Sequence, residues 1–408
     1  MSQETQKYPI DRVLSPVQKF INQEKSGGIV LVISVILALI MANSSFSQQY
    51  LNFFEKDFGF SFNGKLYLHY SLYHWINDGL MAMFFFVVGL ELKKEFIAGE
   101  LASFQKAMLP VVTALGGMLM PALIYLLLNH SGEAQQGWGI PMATDIAFAM
   151  GVLYLLGNKV PSSLKVFLMA LAVVDDLGSV LVIAFFYSSD ISILNLSIGL
   201  GFSFIMLIAN KLGVKNILFY AILGIGGVWV SFLLSGVHAT IAAVLAAFMI
   251  PADSRNQHLY SPTTKQRVVA NNSPLERLIH SLHPFVTFFV MPIFALANAC
   301  ISFADIDIHT LFSTHITIGV TLGLVCGKVL GVIGSLWIMA KLKLASYPEG
   351  MNHRRQLGLG LLASIGFTMS LFITSLAFTE ELHLNQAKIG IFAASIIGSL
   401  SGYLLLRK

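Results

Sequence analysis

Charge is scarce in this sequence: Asp, Glu, Lys and Arg make up 11% of its 408 residues, while 56% are hydrophobic. A soluble domain carries about a quarter of its residues as charges, so a surface solvated by water along the whole chain is excluded. Cysteine is nearly absent. Cys300 and Cys326 both fall within or at the end of apolar runs, which excludes a disulfide framework and suits inert core positions. There is no low-complexity tract, no short tandem repeat and no soluble domain. The basic excess of +4 is scattered between apolar runs, which speaks for a membrane orientation signal and not for a nucleic-acid partner.

Long apolar runs are what the chain does have. A hydrocarbon core roughly 30 Å thick takes about 20 apolar residues per helix, and about twelve such runs are present. The expected spans are Gly27 to Ala42, Leu72 to Leu92, Met108 to Leu128, Trp138 to Leu156, Leu164 to Tyr187 and Ile191 to Ala209. The rest are Ile217 to Leu234, Gly236 to Ile250, Pro284 to Cys300, Ile316 to Ala340, Leu357 to Phe378 and Ala387 to Leu406. The pattern predicts one all-α polytopic membrane domain over residues 1–408, its partner the lipid bilayer. With the amino terminus in the cytoplasm, about 21 of the 25 Lys and Arg fall in cytoplasmic segments, and the carboxyl terminus is also inside.

Residues 1–26 carry Asp11, Arg12, Lys19 and Lys25 and no small-residue cleavage site, so a removable signal peptide is not expected. Leu14, Val17, Phe20 and Ile21 recur at helical spacing, as in a helix lying on the cytoplasmic membrane surface. Within residues 44–71, Phe58, Phe60 and Phe62 alternate up to Asn63-Gly64, and Leu66, Leu68 and Tyr70 alternate after it. This predicts a small periplasmic β-hairpin with a tight turn. An isolated hairpin is marginally stable, so Phe58 to Tyr70 needs a partner: either its own domain or the same hairpin of a second subunit. Residues 251–283 read as a cytoplasmic loop, rich in Ser, Thr, Asn and Gln from Ala252 to Ser273.

A charge at the centre of a bilayer costs at least a few kcal/mol, so each needs a partner or a function. The candidates are Asp78 and Glu91 in the second span, Asp145 in the fourth, Asp175 and Asp176 in the fifth and Lys328 in the tenth. Asp145, Asp175, Asp176 and Lys328 each lie about ten to thirteen residues from a span end, which puts three acids and a base at one depth. Adjacent carboxylates point about 100° apart on a helix and can face one cavity, where they titrate as a coupled unit. Either a proton or a hard cation held by oxygen ligands neutralises such a pair, and mutual exclusion at one site yields exchange. Lys328 fits either a charge partner that carries protons or a permanent ion pair. Pro141 breaks a hydrogen bond just before Thr144 and Asp145, and Gly366, Thr368 and Ser370 sit midway along the eleventh span, so two interrupted helices are expected. Asp145 can offset the positive ends of such half-helices.

These residues bring a family into view. The motifs Asn77-Asp78-Gly79 to Gly89-Leu90-Glu91, Ala143-Thr144-Asp145-Ile146-Ala147-Phe148 and Val174-Asp175-Asp176-Leu177-Gly178 stand beside Ser235-Gly236-Val237-His238-Ala239-Thr240, Gly327-Lys328 and Gly366-Phe367-Thr368-Met369-Ser370. From Gly27 to Leu405 the chain resembles the NhaA sodium/proton antiporters. The resemblance implies two inverted three-helix repeats, spans three to five and ten to twelve, whose middle helices are unwound where they cross. It implies a non-enzymatic, electrogenic exchanger of Na+ or Li+ for H+ in the bacterial inner membrane, without a cofactor. Asp176 would be the principal cation ligand, with Asp175 and Thr144 beside it, Asp175 pairing with Lys328 in the empty or proton-loaded site. Asp145 would balance the helix ends and the hairpin would build a homodimer. Activation by alkaline pH would involve Glu91, Lys94, His238 and the segment Glu276 to His283, including His280. Three positions depart from the family pattern: Glu276 where a basic residue is expected, Ile279 where an acid is, and Val329 where proline is.

Other functions compatible with intramembrane charges fare less well. A sodium-coupled solute symporter would also use crossed helices, but needs a solute cavity. A retinal protein with Lys328 as Schiff base is disfavoured by about twelve spans in place of seven, and an aspartyl protease by the lack of a Gly-x-Gly-Asp segment.

Overall fold

The computed structural model describes residues 26–62, 65–188, 191–252, 273–301 and 314–407. The expected surface helix before Gly27, the Asn63-Gly64 turn and most of the loop after Ala252 lie outside the described residues. Helix α1 is Ser26–Ala42 and a short α2, Ser47–Phe54, leaves it at 117°. Strands β1, Asp57–Phe62, and β2, Lys65–Ser71, pair antiparallel, with Phe58 opposite Tyr70 and an irregularity between Phe58 and Phe60. There follow α3 (Leu72–Ala98), α4 (Phe104–Leu128), a 3-10 segment (Glu133–Met142), α5 (Ile146–Leu155), α6 (Ser162–Phe186) and α7 (Ile193–Lys211). The remainder comprises α8 (Ile217–Leu233), α9 (Ala239–Met249), α10 (Pro274–Asn298), α11 (His315–Lys341), α12 (His353–Ala363), α13 (Phe367–Ala377) and α14 (Glu381–Arg407).

Among the described residues seven helices are long and apolar enough to cross a membrane, or up to ten if each bent pair is one span; α8 and α9 are shorter apolar helices. The burial pattern inverts that of a soluble bundle. Ile33, Ile36, Leu37 and Ile40 of α1, and Leu119, Leu123 and Leu127 of α4, point outward, while Asp145, Asp175, Asp176 and Lys328 are sealed inside. Outward apolar faces at helical spacing require a hydrocarbon solvent, so this is a multi-pass membrane protein.

Close helix approach sets the position of the interior. A side chain at Gly116 of α4 would meet the Gly331 carbonyl of α11 at 2.8 Å, and one at Gly327 would meet the Pro121 backbone at 2.6 Å. In lipid, where apolar burial does not drive helices together, small residues allow the backbone contact that does. The stem of Lys328 runs past Gly117, 3.8 Å from the position of its absent Cβ, and so points inward.

Three expectations need correction. Residues 44–71 are not all hairpin: α2 occupies part of them, and the strands begin only at Asp57. The loop expected to reach residue 283 ends at Ser273, whose side chain caps α10 by accepting the Glu276 N–H at 3.2 Å; Pro284 lies inside that helix, not at its start. The amphipathic face of Leu275, Ile279 and Leu282 carries this first part of α10 against the bundle, so its polarity misled a hydropathy reading. Cys300 is buried, but Cys326 is exposed on the apolar outer surface and is no core residue.

Candidate functional site

Both expected interruptions are present. The 3-10 segment and α5 meet at 40° across residues 143–145, and α12 and α13 meet at 44° across residues 364–366. The two breaks are tied to each other where they cross. The Asp145 N–H donates to the Ile365 carbonyl at 2.6 Å, and the Ser370 hydroxyl donates to the Ile140 carbonyl at 2.8 Å. Backbone groups freed by unwinding in one helix are thus satisfied by the other, which is the condition for irregular backbone at membrane depth. Pro141 removes a donor beside the first break, and Gly366 lets the second approach the Ala143 carbonyl, 3.1 Å from where a Cβ would sit.

Asp145 stands at the N-terminus of two helices at once. One carboxylate oxygen accepts the Phe148 N–H of α5 at 2.9 Å, and the other accepts the Thr368 N–H of α13 at 3.0 Å and the Thr368 hydroxyl. Each helix N-terminus carries a partial positive charge of about half a unit, so one carboxylate balances the pair.

Asp175 is paired. Lys328 donates to its Oδ2, and the Thr144 hydroxyl lies 2.6 Å from the same oxygen and 2.9 Å from the Ala363 carbonyl. All three side chains are buried completely. Thr144 therefore links α6 to both broken helices.

Asp176 differs from its neighbour. Among the described residues neither of its oxygens has a hydrogen-bond partner although both are buried, and Oδ1 of Asp175 and the Ser179 hydroxyl are unpartnered as well. Ser179, one turn along α6 on the same face, is a residue that motif reading passed over; spacings of three and four from the aspartates were the available signal. Asp176 lines a cavity of about 100 Å³ whose other walls include Val87, Glu91, Ala147, His283 and Thr287. That is several times the space one water needs.

Glu91 and His283 line the same cavity, His283 Nε2 4.0 Å from Glu91 Oε1. Beside them Glu276, largely buried, lies 2.9 Å from Lys94 and 3.6 Å from His280. Five of the six expected mouth residues are therefore neighbours. The sixth is not: His238 Nε2 lies 2.9 Å from the Tyr187 carbonyl, at the end of α9 opposite the one where Lys93 binds the carbonyls of Phe248 and Ile250. Eleven helical residues separate those ends by about 16 Å. Asp78 also stands apart from the crossing, 3.0 Å from His74 near the hairpin.

Two helices broken at midspan and crossed around buried carboxylates define an ion transporter of the crossed-helix type. The fold likeness extends to the sodium proton antiporter MjNhaP1 of Methanocaldococcus jannaschii, with a TM-score of 0.54 over 94% of this chain and 92% of that one, at 13% identity. The sequence model described as Na+/H+ antiporter 1 matches residues 18–406, and the chain belongs to that family. Relatives named Na(+)/H(+) antiporter NhaA include that of Oleidesulfovibrio alaskensis, 44% identical over 98% of this chain and 95% of its own length. Those of Acidithiobacillus ferrooxidans, at 46% over 97% of each chain, and Helicobacter pylori, at 44% over 96% and 94%, are similarly alike. These matches favour exchange over the symport alternative.

Proposed function

We propose that the chain exchanges Na+ or Li+ for H+ at Asp176, with Asp175 and Thr144 as further ligands. The carrying observation is that Asp176 is a fully buried carboxylate lining a cavity, with two oxygens that have no partner among the described residues. An uncompensated charge there is costly, and among the described residues no cation is bonded to it, so a proton or a small cation must neutralise it. The two compete because either one satisfies the same oxygens.

Lys328 extends the competition. A cation shared between Asp176 and Asp175 displaces the ammonium from Asp175, and the stranded lysine can then release a proton of its own. More than one proton then exchanges for one cation, which makes transport electrogenic; a net charge crossing 100 mV is worth about 2.3 kcal/mol. Asp145 has its charge committed to two helix ends and serves as a hinge point, with Pro141, Gly366 and Thr368 holding the crossing open. Shifts of the half-helices would present Asp176 alternately to each side. The cavity reaches it from the mouth formed by Glu91, Lys94, Glu276, His280 and His283, which we assign to ion access and the response to pH.

Twelve spans follow if each bent span counts once and α8 and α9 also cross, with α4 to α6 and α11 to α14 as the inverted repeats. The distribution of Lys and Arg supports an inner-membrane orientation with both termini inside and the mouth cytoplasmic. The hairpin has two free edges among the described residues, which suits pairing with a second copy.

The test is proton movement in proteoliposomes of the purified chain. Sodium and lithium, not potassium, should drive it, and an imposed membrane potential should change its rate. A rate indifferent to potential overturns electrogenicity, and no response to sodium overturns the exchange reading.

A further inference from the structure

A second cluster of ligand-type atoms lies at the end of the bundle that carries the hairpin, away from the carboxylate pair. His383 Nδ1 is 3.2 Å from Glu380 Oε2 and 3.6 Å from Glu133 Oε2, and the three atoms all lie within 4.8 Å of one another. Two ligand atoms bound at 2.0 to 2.2 Å to one tetrahedral ion stand about 3.4 Å apart, so these spacings bracket the requirement. The imidazole nitrogen supplies an independent sign. The atom is shielded from water, although its side chain is 22% exposed and the Glu133 and Glu380 side chains are exposed, and it makes no hydrogen bond with acceptable geometry to either carboxylate. A donor held between two acids is expected to aim at one of them; a lone pair shared with an ion is not.

The ring is also held in place. It packs 5.5 Å from the Phe378 ring, which in turn fills the space that a side chain at Gly137 would need, 2.6 Å from that absent Cβ. Imidazole with two carboxylates suits a borderline divalent ion with water completing its shell, and suits potassium or magnesium less well.

We infer that Glu133, Glu380 and His383 form a site for a divalent transition ion of the zinc type, whose binding restrains the crossing helices. Glu133 opens the 3-10 segment, half of the first broken span. Glu380 follows α13, half of the second, and its carbonyl accepts the Leu384 N–H at 3.1 Å to begin α14. An ion held by all three ties the ends of both crossing halves together. Movement of one relative to the other then requires that a ligand be released, so occupancy slows exchange.

The test is titration of the metal-stripped full chain, carrying no polyhistidine tag, with Zn2+ in detergent against a zinc-sensitive dye. One ion per chain should bind, and His383→Gln and Glu380→Gln should each weaken binding at least about tenfold, the least that loss of even an outer-shell partner costs. In proteoliposomes, Zn2+ should slow sodium-driven proton movement by the wild type and leave the metal-free rate of both variants unaltered. Equal zinc affinity in wild type and both variants, or no binding by the wild type, overturns the site. Binding without any slowing overturns the restraint. Because binding is measured without transport, its failure is distinct from failure of the exchange reading.

Discussion

Replacement of Asp176 by Asn separates the charge of this side chain from its shape. The asparagine fits the same space, and the two nearest carboxylates already have partners: Asp175 is bonded to Lys328 and Thr144, and Asp145 is committed to Phe148 and Thr368. A unit cation about 2.5 Å from a carboxylate oxygen gains about 6 to 7 kcal/mol at an effective dielectric of about 20. If half of that is offset by lost hydration, some 3 kcal/mol remains, or more than about a hundredfold in cation affinity. The assay is sodium-dependent proton movement in vesicles over a wide sodium range, with thermal unfolding of the purified protein as a control. Asp176→Asn should raise the sodium needed for half-maximal rate by at least that factor, or abolish exchange, while unfolding occurs at the same or a higher temperature. Stability is expected to hold because no protein partner is lost. A variant that exchanges sodium at wild-type concentrations would refute the assignment of the cation to this carboxylate.

Lys328→Met should cost about 3 to 5 kcal/mol of stability, because it leaves Asp175 charged and buried, and adding Asp175→Asn should recover most of it; thermal unfolding of single and double variants checks this. Asp145→Asn should destabilise by about 1 to 4 kcal/mol by removing charge from two helix N-termini, and Thr368→Val should cost less, as measured the same way. Ile279→Glu places a charge at an 8% exposed position packed with Leu275, so lower folded yield is expected, measured by size-exclusion chromatography after solubilisation. Lys94→Met removes the 2.9 Å partner of Glu276, and about 1 kcal/mol of stability should go with it, given that Lys94 is partly exposed. Gly331→Leu drives a side chain into the Gly116 carbonyl, 2.1 Å from the would-be Cβ, and should prevent accumulation of folded protein in the membrane.

Glu276 shows how a local substitution is read differently at each level. In the sequence it is a charge reversal relative to the family pattern; in the fold it is a largely buried acid that answers Lys94 and His280. Ile279, one turn on, belongs to the packed face of α10 and not to the charge network. Val329, where proline is expected, lies against α12, its Cα 3.2 Å from where a side chain at Gly360 would be.

Solvent preference and order along the chain were determined by the sequence alone, because burying about 20 apolar residues in a bilayer is a large, local and additive effect. The rarity of intramembrane charge likewise singled out Asp145, Asp175, Asp176 and Lys328. Which of two adjacent aspartates is paired and which is bare was decided only by tertiary structure, since residues 100° apart on one helix face different neighbours, and among the described residues Lys328 bonds Asp175 and not Asp176. The same holds for the double cap on Asp145 and for the placement of His238 at the end of α9 opposite the Lys93 contacts. Partners contributed by segments some 150 to 220 residues away leave no trace in local spacing.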